Sequence, residues 1–84
     1  MIDFLEVIDR LKSVLSQHHK KTKIYDRDVA SALELDPQYF AVIKRRNKIP
    51  YEAIANYCKK NYISMNWILF HQKPKRLIKT EYDK

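Results

Sequence analysis

The residues between positions 37 and 45 are those whose types and spacing suggest a task. Pro37, Gln38, Ala41, Val42 and Arg45 gather on one face of a helix. A glutamine amide can pair with both exposed groups of adenine, and an arginine guanidinium with guanine or a phosphate; Ala41 and Val42 suit a thymine methyl. The major groove of DNA admits one α-helix, so the chemistry such a face offers is base reading. A basic cluster adjoins it: Lys44, Arg45, Arg46 and Lys48. Lys44, Arg46 and Lys48 are suited to phosphates, which give affinity without sequence information. Tyr39, at the edge of the face, can hydrogen-bond a phosphate, and Arg27 joins the DNA-binding set from the preceding helix.

Two helices must position this face. The spacing predicts a first helix from Arg27 to Leu33, a turn over Glu34–Asp36 and a second helix from Pro37 to about Arg45. Asp36 can accept from the free N–H groups of the second helix, and Pro37 suits a first helical position because its missing N–H has no intrahelical partner there. Val29, Ala30 and Leu33 form the inner face of the first helix, Phe40 and Ile43 that of the second, and Leu35 fills the corner. An αα-hairpin that only packs a core has the same pattern. The basic cluster favours the reading function.

The remaining segments supply a core. Phe4, Ile8, Leu11 and Leu15 form one helical stripe over residues 3–17, widened by Leu5, Val7 and Val14. Asp3 is the expected N-cap, in a capping box with Glu6. Residues 18–25 read as a solvated basic connection, in which Ile24 or Tyr25 closes the core and Asp26 caps the next helix. Asn47 and Asn61 are expected to take left-handed conformations at helix ends. Pro50 opens a helix over Tyr51–Lys60 with an inner stripe of Tyr51, Ile54, Ala55 and Cys58. A fifth short helix covers residues 64–72, with Ser64 as its cap and Trp67 in the core. Some of Ile68, Leu69 and Phe70 are surplus to a monomer core and suit a dimer patch. The organisation expected is an all-α bundle of about five short helices over residues 1–72, followed by a basic flexible tail over 73–84.

Charge and composition narrow the function. The 84 residues carry a formal net charge of +7, which favours a polyanionic partner. The basic charge lies at 18–48 and 73–84, while residues 1–17 are slightly acidic. The absence of glycine excludes glycine-rich phosphate loops. His18 and His19 have no Cys or acid at ligand spacing, so no metal is expected. Cys58 reads as a small core residue, and its solitude excludes an intrachain disulfide. No nucleophile, base and positioning group can be named together, so no catalysis, cofactor or small-molecule ligand is expected. The N-terminus has acids where a secretory signal needs bases, and no stretch is long enough to cross a membrane; a cytoplasmic location is expected.

From Asp26 to Phe70 the chain resembles the helix-turn-helix domain of phage CI-type repressors, within the lambda-repressor-like fold. The resemblance rests on Ala30, Leu33–Asp36, Pro37–Arg46, Ile49-Pro50-Tyr51-Glu52 and Ser64-Met65-Asn66-Trp67-Ile68-Leu69, with residues 3–17 matching the family's first helix. It departs at Glu34 and Asn47, where the family usually or often has Gly. The resemblance implies a transcriptional regulator that binds double-stranded DNA as a homodimer on a pseudo-palindrome. The alternative is a protein-interaction module of antitoxin or anti-repressor type, gripping its partner with the tail and last helix. RNA binding is less favoured, because no sheet presenting aromatics is visible.

Overall fold

Chain order and hydrophobic spacing produce five α-helices: α1 (Phe4–His19), α2 (Asp26–Ala32), α3 (Pro37–Arg45), α4 (Tyr51–Asn61) and α5 (Met65–Phe70). The structure, a computed structural model, describes residues 2–20 and 23–76. No strand forms among these residues; one isolated antiparallel bridge pairs Ile63 with Arg76. Over the described residues the chain is an all-α bundle of five helices.

The α1 stripe does what its spacing demands. Phe4, Val7, Ile8, Leu11, Val14 and Leu15 are buried. Leu5 is not: it stands about 100° round the helix from Phe4, and is 53% exposed. Phe4 meets Phe40 of α3 edge to face, with ring centroids 5.6 Å apart, a contact worth about 1 kcal/mol beyond burial. The helix continues to His19, so both histidines belong to its last turn rather than to the connection. Asp3 is the N-cap, its Oδ1 accepting from the Leu5 N–H at 3.0 Å. Glu6 turns to Arg10 at 3.8 Å instead of completing a box. The Arg10 guanidinium ties α1 to the end of α5, donating to the carbonyls of Ile68 at 2.6 Å and Leu69 at 3.2 Å.

The α2–α3 pair follows the expected pattern with a shifted start. Asp36 caps α3 by accepting from the Gln38 N–H at 2.9 Å, and Pro37 opens the helix. Tyr25, not Asp26, is the N-cap of α2; its N–H donates to Asp28 Oδ2 at 2.8 Å. Asp26 is drawn away by two lysines described below. Leu33 is buried at the end of α2 and Leu35 packs partly into the corner.

Without glycine, other residues must take the left-handed turns. Lys20, Glu34, Asn47, Tyr62 and His71 all have φ between 53° and 59°. Asn61 does not; it ends α4 inside the helix, donating from Nδ2 to the Tyr57 carbonyl, and Tyr62 makes the turn. Each such residue with a Cβ costs on the order of 1 kcal/mol. Replacing Lys20 by Gly removes that cost but loosens the unfolded chain, so a net gain of up to about 1 kcal/mol is expected. Urea denaturation checks it, and a loss of stability would contradict it.

The second half differs from expectation in which aromatic faces inward. Ile54, Tyr57 and Cys58 form the buried stripe of α4, while Tyr51 is 50% exposed in the first turn, where the stripe runs off the core. Ala55 is half-buried. The Tyr57 hydroxyl is buried without a hydrogen-bond partner among the described residues. Burial pushes the Cys58 thiol up to about 11, which makes it a poor nucleophile at neutral pH. Ser64 caps α5, its hydroxyl accepting from the Trp67 N–H at 3.3 Å. Trp67, Ile68 and Leu69 are buried, leaving Phe70 as the one residue of the expected dimer patch that is open, at 52% exposure.

Contacts continue past Gln72, where the sequence places the start of a flexible tail. The Ser64 N–H donates to the Lys75 carbonyl at 2.8 Å. The Lys75 ammonium stands 4.6 Å from the Trp67 ring centroid, and Lys75 and Arg76 both donate to Gln17 Oε1. The rest of the tail, 77–84, lies outside the described residues.

Candidate nucleic-acid interface

Burial divides α3 into two faces. Phe40 and Ile43 are held in the core, while Pro37, Gln38, Tyr39, Ala41 and Arg45 are exposed. Arg46 and Lys48 follow, also exposed and without an ion pair among the described residues. Arg27 is exposed at the start of α2, with its guanidinium carbon 4.6 Å from the Tyr25 ring centroid, and the Lys23 ammonium lies 5.4 Å from the same ring. Val42 is half-buried, so a smaller fraction of it is open than of Ala41.

Lys44 is also half-buried, and its ammonium is engaged: it hydrogen-bonds Asp26 Oδ2. Lys12 of α1 reaches the other oxygen of that carboxylate at 2.8 Å. One carboxylate at the start of α2 thus joins α1 and α3. Partial burial pushes the Asp26 carboxyl up, but hydrogen bonds and charge attraction from Lys12 and Lys44 outweigh this and hold it below its usual 3.8. A depressed folded-state value means that the stabilisation is present above the unfolded value and is lost as pH falls through the folded one. Stability should therefore decline below about pH 4, and Asp26→Asn should blunt that decline in acid-denaturation curves. The same substitution frees two ammonium groups near α3. Non-specific affinity for duplex DNA should rise, and its logarithmic salt slope should steepen by up to about 0.9 for each ammonium that reaches a phosphate. An unchanged slope would show that neither lysine is within reach.

A groove of about 620 Å³ runs beside α3, lined by Leu5, Asp26, Arg27, Ala30, Pro37, Phe40, Ala41, Lys44 and Arg45. Its lining is mostly apolar, with Arg27, Lys44 and Arg45 as cations and Asp26 as the one anion. The outward face is thereby split. Pro37, Ala41 and Arg45 border the groove, and Gln38 and Val42 do not.

Asn47 holds the end of this unit. Its φ of 53° turns the chain out of α3, and its Oδ1 accepts from the Phe4 N–H at 2.7 Å. One side chain therefore ends the helical path after α3 and caps the start of α1. Sequence reading finds the turn but not the cap, because no local pattern links residues 43 positions apart. The Lys12–Asp26–Lys44 cluster is missed for the same reason.

The described residues offer no other chemistry of comparable definition. No group of three His, Cys, Asp or Glu side chains among them could hold a metal ion. His18 stands near like charge: partial burial first, then Arg76, His19 and Lys75, push it below its usual value. No helix among the described residues is long and apolar enough to cross a membrane. Comparison of the chain with protein-family models, curated proteins and solved structures finds no match.

Proposed function

We propose that this chain is a sequence-specific double-stranded DNA-binding protein, a transcriptional regulator of phage-repressor type that inserts α3 into the major groove. The observation that carries this reading is the exposed face of α3. Gln38, Ala41 and Arg45 stand clear of a core that fixes the helix through Phe40 and Ile43, with exposed Arg46 and Lys48 directly beyond. A helix anchored on one side and open on the other is what groove insertion needs. Gln38 reads adenine, Ala41 and Val42 meet a thymine methyl, and Arg45 reaches a guanine or a phosphate. Arg46, Lys48, Tyr39 and Arg27 hold the backbone, while Lys44 does so only by leaving Asp26.

On DNA the chain acts as a homodimer, in the cytoplasm, with each copy on one half-site. Selection of the purified protein against a random duplex pool at about 50 and 200 mM salt tests this. A two-fold symmetric motif with half-sites about one helical turn apart is the expected result. Retention at low salt only, with no enriched motif, would reduce the interaction to charge.

A protein-interaction module is the second reading. Phe70 motivates it, beside a groove of about 400 Å³ formed with Ile2, Asp3, Glu6, Arg10, Leu69 and His71. Residues 73–76 contribute less than the sequence suggests, because they lie against Ser64, Trp67 and Gln17 of the same chain.

A further inference from the structure

A second set of cations gathers at the far end of α1, away from the outward face of α3. Gln17 lies about two turns beyond Arg10, on the flank that meets α5. It stands about 140° round the helix from Lys12, whose ammonium reaches Asp26 beside α3. The Gln17 Oε1 accepts from the Lys75 ammonium at 3.1 Å and from the Arg76 guanidinium at 2.8 Å. His18 adjoins it, and Gln17, His18 and Arg76 are all exposed. Among the described residues no carboxylate pairs with Lys75 or Arg76. Two full positive charges therefore meet on one neutral oxygen.

Folding alone does not call for this convergence. Backbone contacts already tie the segment down: Ile63 bridges to Arg76, and the Ser64 N–H donates to the Lys75 carbonyl. The C-terminus of α1 attracts cations, but its macrodipole is equivalent to only about half a negative charge. The Trp67 ring, 4.6 Å from the Lys75 ammonium, offers a quadrupole and no net charge. The like charges act on one another. Lys75 is pushed below its usual value by partial burial and then by Arg76. His18 is pushed down by partial burial and then by Arg76, His19 and Lys75. A bound anion would relieve all of these repulsions.

We infer that Gln17, Lys75 and Arg76, with His18 at their edge, form a phosphate-binding site separate from α3. Two donors that converge on an amide oxygen can converge on a phosphate oxygen, and charge assistance makes such hydrogen bonds roughly twice as strong. Rotation of the Gln17 amide turns its Nε2, a donor, towards the anion. The His18 imidazolium adds a third charge as pH falls, so binding strengthens in mild acid. The site is open to water, and its affinity for a single phosphate is on the order of millimolar. The ligand chemistry is a phosphate group, borne by a free phosphate or by a nucleic-acid backbone. The site does not rest on base reading by α3 and stands if that reading fails.

Nuclear magnetic resonance titration of the intact chain tests this. The probes are inorganic phosphate and a short random-sequence DNA duplex, with sodium chloride at matched ionic strength as the control. Phosphate is expected to move the signals of Gln17, His18, Lys75 and Arg76, and chloride to leave them in place. Arg76→Gln should weaken phosphate binding about tenfold. The protonation midpoint of His18 should rise by about half a pH unit in sulfate, a stand-in whose charge is constant over the titration. A duplex that moves the same signals assigns the phosphate to a nucleic-acid backbone; phosphate acting alone assigns a free ligand. Signals that neither probe moves, or that chloride moves as far, overturn the inference. So does an affinity unchanged in Arg76→Gln. Arg76 is exposed, so this variant should fold, and thermal denaturation checks it. If it does not fold, the His18 midpoint in the unaltered chain decides, and a midpoint unmoved by sulfate refutes the site.

Discussion

Asn47→Ala is expected to destabilise the protein by about 2–3 kcal/mol, the largest loss from any single polar side chain described above. Two effects add. Alanine at a φ of 53° meets the steric cost of the left-handed region, on the order of 1 kcal/mol more than asparagine, which bonds locally there. Loss of Oδ1 also leaves the Phe4 N–H without its 2.7 Å acceptor, and removing an N-terminal cap costs about 1 kcal/mol, up to about 2. Phe4 is fully buried against Phe40, so fraying at this end opens the α1–α3 contact. Asn47→Gly separates the terms: it relieves the backbone and still lacks the cap, so it should fall between alanine and wild type. Urea denaturation of the three proteins is the measurement. An alanine variant within about 0.5 kcal/mol of wild type would show that water replaces the cap at no cost.

Gln38→Ala is expected to cost about 1–3 kcal/mol of DNA affinity at one base position, roughly five- to 150-fold, and to relax preference there. Gln38 is exposed at the second residue of α3, immediately after the Pro37 that opens it, and its backbone N–H is already satisfied by Asp36. Its truncation should therefore leave folding unchanged and act on recognition alone. Lys48→Ala is the contrast: exposed and outside the helix, it should weaken every sequence alike and flatten the salt slope by about 0.9. Quantitative binding to the selected site and its single-base variants distinguishes the two. A Gln38 variant with the full preference of wild type would remove Gln38 from the reading set. A sequence-dependent loss for Lys48→Ala would contradict its backbone role.

The parts legible in sequence share one property: their determinants lie within a few residues. Helix α3 is an example. Asp36, Pro37 and the Phe40–Ile43 spacing fix its start and its buried face with no reference to the rest of the chain. The Ser64 cap of α5 and the left-handed turn at Asn47 are equally local. Periodicity fails where an element meets the edge of the core. Tyr51 fits its helical stripe yet is exposed, and Leu5 lies off the centre of its own. Ile68 and Leu69 are buried although the sequence supplies more apolar groups there than one short helix requires; α5 shares its core with α1 and α4, which no local count includes.

The sequence by itself determined that the described residues are all-helical, where their five helices lie to within a few residues, and that positive charge adjoins an amphipathic helix at 37–45. These follow from side-chain spacing and capping chemistry, which act over one or two turns. Only the tertiary structure decided how that helix is held and what surrounds it. Asp26 leaves its expected capping place because Lys12 and Lys44 converge on it from two other helices. Asn47 becomes a cap for α1 because folding brings the chain's start to the end of α3. The groove joining Leu5 to Ala41 and Arg45 exists only once three helices pack, since its walls come from residues far apart in sequence. Contacts between distant segments depend on how whole helix faces fill a common core, and no single window of sequence carries that information.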